Sequence, residues 1–292
     1  MKKRQEIEIL RILSAFGIVW YHTAIIGRDV AYSGLIAFLI ISMYFSAKSG
    51  ATHKTPLERA RSLLVPWGAW FVFYGILNLV NKKSFFPMEN GVVAGFLSGT
   101  SIHLWYMPFI FMAIVVFDRI KVYVGNETLS YACIFIAICI LLLSQFWRSQ
   151  SISLGYPYAQ YAHALDGVLI GVFFANCSAL PRTLRAGFIL LILAFVLIFT
   201  FTLPGVGVPY FLGILVAAFT LLPKWEFNFD ARINCLSECT LGIYLSHIFW
   251  LKVIKKIDIV SDFTLPFMVF LVSALTVWCF KKMAPRLSSY TV

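Results

Sequence analysis

Apolar runs recur from one end of this chain to the other, each bounded by charges, glycines or prolines, and no polar linker divides the series. A backbone placed in hydrocarbon must satisfy its own N–H and C=O groups, so runs of this kind are confined to helices. We place ten spans, at Ile12 to Ile26, Ala31 to Ala47, Leu63 to Val80, His103 to Phe117, Leu129 to Trp147, His163 to Asn176, Gly187 to Leu203, Val208 to Leu222, Leu236 to Trp250 and Phe263 to Phe280. With 60% hydrophobic and 13% charged residues, the chain lies far from the soluble average of about 25% charged. The expectation is an all-α polytopic membrane bundle of about ten transmembrane helices, one integral-membrane domain over residues 1–292.

Basic residues set the expected orientation, because Lys and Arg concentrate in cytoplasmic loops. A cytoplasmic N-terminus leaves outside only Arg28, Lys82, Lys83, Arg148, Lys252, Lys255 and Lys256 of the 24 Lys and Arg residues. Both termini are then cytoplasmic, and topology accounts for most of the net charge of +11. No aromatic-interleaved basic stripe points to nucleic acid. The apolar run after Lys2-Lys3-Arg4 ends in Trp20-Tyr21-His22 without a small-residue cleavage site, so it reads as a retained helix rather than a leader. The six cysteines form no CxxC pair and indicate neither a disulfide framework nor a metal site.

Chemistry must come from polar residues in or near the hydrocarbon. Arg11 and His22 are eleven residues apart on the first helix. At about 100° and 1.5 Å per residue they share one face, roughly 16 Å apart along the axis. If that helix spans a bilayer, Arg11 lies at the interface and His22 about halfway through, where ionisable groups are costly and functional. The pair reads as an anion grip and an internal base, since an imidazole suits proton abstraction from an alcohol near neutral pH.

A second cationic cluster follows helix two, with Lys48, Lys54, Arg59 and Arg61 ahead of Pro66. Positive-inside bias alone explains such loops. Two arginines one residue apart nevertheless point to different sides of a helix, and guanidinium suits phosphate; with Arg11 they would make a cytoplasmic anion pocket. His103-Leu104-Trp105-Tyr106 opens the fourth span, and Ser237, Thr240, Tyr244 and His247 form a polar stripe along the ninth. Facing lipid that stripe would be unfavourable, so it is expected to line the interior. Asp166, one turn after His163, is placed to orient an imidazole or to sit at the interface.

These residues resemble the integral-membrane acyltransferase 3 family, whose members acylate carbohydrates of bacterial envelopes and related acceptors. Nearly the whole chain is covered: Arg-x10-His at Arg11 and His22, Arg-x-Arg at Arg59 and Arg61, His-Leu-Trp-Tyr at His103 to Tyr106, and Ser-x-x-Thr-Leu-Gly-Ile-Tyr-Leu-Ser-His at Ser237 to His247. One departure is Ile41-Ser42-Met43-Tyr44, where the family's second helix reads Ile-Ser-Gly; a small residue is lost from a packing surface. The resemblance implies an acyl-CoA donor, acetyl-CoA by the habit of the sugar-modifying members, bound from the cytoplasm of a bacterial inner membrane, and a sugar hydroxyl as acceptor. No hydrolase-like segment follows the tenth span, so the acceptor is expected to come to the membrane, for example as a lipid-linked sugar.

On that reading Arg11, Arg59, Arg61 and Lys48 hold the phosphates of acyl-CoA. His22 serves as base or transient acyl carrier, with Arg11, Tyr244, His247 and Asp166 as further catalytic candidates. Ser42, Tyr244 and His247 are the candidate oxyanion donors; His103, Trp105, Tyr106 and Ser42 are expected on the substrate side. No metal is expected. The alternative is a transporter or flippase that uses the buried Arg, His and Asp residues as a substrate or proton path.

Overall fold

The computed structural model describes residues 4–48, 55–223, 231–257 and 261–291. Lys2, Lys3, Lys54 and Lys224 fall outside them, as does the side chain of Arg232. The described helices, in chain order, are α1 (Gln5–Thr23), α2 (Arg28–Ala31), α3 (Ser33–Lys48), α4 (Pro56–Val80), α5 (Val92–Ser98), α6 (Tyr106–Tyr123), α7 (Asn126–Leu142), α8 (Ser144–Leu154), α9 (Tyr158–Asn176), α10 (Arg182–Phe195), α11 (Gly207–Leu221), α12 (Ala231–Ser237), α13 (Thr240–Ile257), α14 (Leu265–Met283) and α15 (Pro285–Thr291).

Burial separates a central pair from a surrounding ring. The apolar stretches of Arg28–Lys48 and Tyr158–Ala179 are 67% and 78% buried, whereas those of α4, α10 and α14 are 22% to 33% buried. Helices α3 and α9 therefore form the core, packed on each other, with α1, α6 and α11 also against α3. The outer helices turn Phe135, Leu190, Ile198 and Phe219 outward, as a surface bathed in lipid requires.

Close approach to α3 uses small residues on both sides of the contact. A Cβ on Gly17 of α1 would lie 2.6 Å from the Ala31 carbonyl oxygen and 3.2 Å from Gly34 Cα. The residue missing from the second span is supplied by its neighbour: a Cβ on Gly171 of α9 would stand 2.6 Å from the Ile40 carbonyl oxygen and 2.7 Å from Met43 Cβ. The larger Met43 is fully buried against that glycine, the small-to-large fit by which helices associate in membranes.

All ten expected runs are helical over most of their length; several ends shift by a few residues, and four differences change the architecture. Helix α1 begins at Gln5, not Ile12, because its acids are neutralised: Arg4 meets Glu6 at 2.5 Å and Arg11 meets Glu8 at 3.1 Å. Arg4 also donates to the carbonyls of Thr220, Leu221 and Pro223 at the end of α11. The fifth expected span breaks at Leu143, where α7 and α8 meet at 80°, since Gln145, Arg148, Ser149 and Gln150 make α8 too polar to continue through hydrocarbon. The ninth divides between Ser237 and Thr240 into α12 and α13. His103 precedes α6, in a turn, instead of opening it.

Five helical segments among the described residues are long and apolar enough to cross a membrane, six if the bent α7–α8 pair counts as one. Helices α1, α6 and α13 each carry three charged residues, and α11 has 15 residues. The expected number of complete crossings is thus larger than length and composition alone support.

Candidate functional site

Helices α1 and α13 finish at the same end of the bundle where α3 and α9 begin; Lys255 of α13 reaches the carbonyl of Thr23 at 3.5 Å. There a cavity of about 330 Å³ is lined by Ile18, Tyr21 and His22 of α1, by His103, Trp105 and Tyr244, and by Arg28, Tyr32, Tyr156 and Gln160. Arg11, Ile18 and His22 follow one helical stripe, seven and four residues apart. The stripe brings Ile18 and His22 to the cavity, while Arg11 sits two turns below Ile18 and engages Glu8. His22 lies in the last turn of α1, next to its final residue. The first span, expected over Ile12 to Ile26, starts earlier, at Gln5, and stops sooner, at Thr23, because the chain turns at Ala24 with φ 62°.

Three imidazoles gather around the cavity. The ring of His22 is 5.1 Å from that of His247 and 6.5 Å from that of His103, and His103 and His247 are 4.9 Å apart. Their hydrogen bonds assign different roles. His103 Nε2 lies 3.2 Å from the Leu245 carbonyl oxygen and Nδ1 3.2 Å from Ser101 Oγ; the carbonyl can only accept, so Nε2 carries the proton and Nδ1 accepts from the hydroxyl. His103 is satisfied on both sides. His247 donates from Nδ1 to the Tyr244 carbonyl at 2.6 Å, which leaves Nε2 as the lone-pair nitrogen. That nitrogen is buried with no partner. His22 is half-buried. Among the described residues no group of His, Cys, Asp or Glu is arranged to hold a metal.

Tyr74 of α4, which the sequence reading passed over, organises this arrangement. Its hydroxyl donates to the Leu245 carbonyl at 2.9 Å and accepts from the Phe249 N–H at 3.1 Å. It thus bridges the two groups that a regular helical bond joins directly, and the same carbonyl serves His103. Tyr244 donates its hydroxyl to the His103 carbonyl, and Phe38 stacks on it. Only an interhelical contact could have revealed Tyr74; nothing in its local sequence marks it.

The remaining candidates divide. Ser237, Thr240, Tyr244 and His247 are all buried, as expected of the stripe, with Ser237 donating to Glu8. Trp105 lines the cavity; Tyr106 and Ser42 share a hydrogen bond of 2.9 Å beneath it. Asp166 is buried, but its Oδ1 has no partner and no hydrogen bond joins it to an imidazole; His163 turns instead to the Gly205 carbonyl at 2.5 Å. Arg59 pairs with Asp118 of α6 at 3.2 Å, and Arg61 faces the other way, 3.1 Å from the Tyr290 hydroxyl of α15. Lys48 bonds Tyr44 at 2.6 Å. The two arginines do point to different sides, so Arg61 does not join Arg59 in one pocket.

The fold and site define a helical membrane protein with an imidazole-lined cavity at one end of the bundle. The family model described as an acyltransferase domain matches residues 4–280, and the chain belongs to that family, a family of acyltransferases. No curated protein and no solved structure matches it.

Proposed function

We propose that this protein is a membrane O-acyltransferase that moves an acyl group, acetyl by preference, from cytoplasmic acyl-CoA to a hydroxyl of an envelope carbohydrate at the outer face of a bacterial inner membrane. The observation that carries this reading is the His22 ring in the cavity wall, 5.1 Å from His247, whose Nε2 is an unpartnered base. The acceptor oxygen attacks the thioester carbonyl as an imidazole removes its proton; the C–S bond then breaks and the sulfur leaves with a proton returned from the imidazolium. A transient acyl-imidazole on His22 reaches the same products in two steps. Arg59, with Nε buried and free of a partner, and Arg11 supply the charge for the phosphates of the donor, with Lys48 nearby in sequence.

His22→Ala, with membrane insertion verified, is expected to lower acyl transfer from labelled acetyl-CoA by at least about 100-fold; transfer near the wild-type level removes His22 from the chemistry. A transporter would show no release of CoA thiol by the purified protein, and release is expected.

A further inference from the structure

One cation, Arg28, lines the cavity, and no carboxylate among the described residues pairs with it. The ion pairs found among the described residues, Arg4 with Glu6, Arg11 with Glu8 and Arg59 with Asp118, all lie away from the cavity. At the same end of the bundle Arg148 and Lys255, which are not in the lining, likewise have no carboxylate partner among the described residues. Arg28 and Asp29 are both exposed, but only Arg28 lines the cavity, its guanidinium 5.1 Å over the Tyr21 ring. Arg148 stands behind Tyr32: its Nη2 and the Tyr32 ring lie 3.7 and 3.9 Å from where a Cβ on Gly205 would begin. Within the wall, the side-chain oxygen of Gln160 is a buried acceptor without a donor.

A guanidinium at a cavity mouth with no carboxylate partner favours a negatively charged ligand, because its fork bonds carboxylate or phosphate in two places. Resting on the carbohydrate reading above, we propose that the acceptor is an acidic sugar: a carboxylate or phosphate is held at the cavity mouth by Arg28, with Arg148 adding charge from behind Tyr32, while Gln160 accepts a hydrogen bond from one of its hydroxyls. Arg28 and Gln160 are then specificity-determining residues, and the acidic group fixes which hydroxyl faces His22.

The full chain in phosphatidylcholine nanodiscs is titrated with glucose, glucuronate and glucose 1-phosphate, with binding read from the shift in thermal unfolding. At least one charged sugar is expected to bind about tenfold more tightly than glucose, the size of one charge-assisted contact. Preference for glucuronate alone assigns a carboxylate and preference for glucose 1-phosphate alone assigns a phosphate. Arg28→Gln is expected to cut the preference to about threefold or less, Arg28→Lys to fall between Arg28→Gln and the wild type because it keeps the charge but loses the fork, and Arg148→Gln to give a smaller loss. Equal binding of the three sugars overturns the proposal. So does a preference that survives both glutamine variants, or one that acetyl-CoA competes away, since the site would then be the donor's. None of these readouts needs turnover, so the loss of this inference is distinguishable from the loss of the transferase reading, which the His22→Ala assay decides.

Discussion

Where α1 begins, four arginines are answered: Arg4 by Glu6 and three carbonyls, Arg11 by Glu8, Arg59 by Asp118 and Arg61 by Tyr290. Where α1 finishes, Arg28 has only an aromatic face and His247 keeps a buried nitrogen without a partner. The first end is largely a set of contacts that fix helix ends, although Arg59 Nε is left without a partner; the second leaves an imidazole nitrogen open beside a cavity. Buried polar atoms left unsatisfied are costly, of order 1–3 kcal/mol each, and two of those among the described residues, Gln160 Oε1 and His247 Nε2, stand at the cavity.

That contrast can be broken most decisively at His247. Replacing it by Ala or by Asn is expected to lower acyl transfer by about 100-fold, because neither side chain offers the lone pair at Nε2; Asn still donates to the Tyr244 carbonyl, so recovery of activity in His247→Asn would reduce the residue to a spacer. The closed end yields a smaller effect. Arg59→Ala is expected to weaken acetyl-CoA binding about tenfold and Arg61→Ala about twofold, as judged by titration of the purified protein, since only the first faces α6. Equal losses would return both arginines to one pocket. Tyr74→Phe removes two hydrogen bonds at the junction of α4 and α13 and should cost about 1–2 kcal/mol of stability; an unchanged thermal midpoint would mean that α13 holds its geometry alone. The smallest change is expected for Thr55→Ala, which removes the capping box that Thr55 and Glu58 form at the start of α4, for about 1 kcal/mol or less.

Helical content and the polar interior of α13 were legible in the sequence because hydrocarbon imposes one strong rule, and the shared face of Arg11 and His22 followed from helical period alone. Helix ends were not. The start of α1 depends on ion pairs that make Glu6 and Glu8 tolerable in a packed helix, and the bend at Leu143 depends on where α8 comes to lie; neither is local. Asp166 illustrates a further gap: its spacing from His163 permitted an imidazole partner, but His163 is drawn to the Gly205 carbonyl of a distant segment. Tyr74, Arg28 and Gln160 carry no motif, and only the approach of other helices gives them a place at the cavity.

The glycine seam between α1 and α3 has a consequence for timing and place. Gly17 meets Gly34 almost backbone to backbone, and the residues on either side of Gly17, Phe16 and Ile18, have side chains that no such seam would admit. Helix α1 is therefore bolted at one axial setting; a slip of one residue would swing every group on it by about 100° and shift it by about 1.5 Å. The altitude of the His22 ring is fixed five residues away by two positions with no side chain, so methyl groups added there should silence the enzyme without touching a single reacting atom.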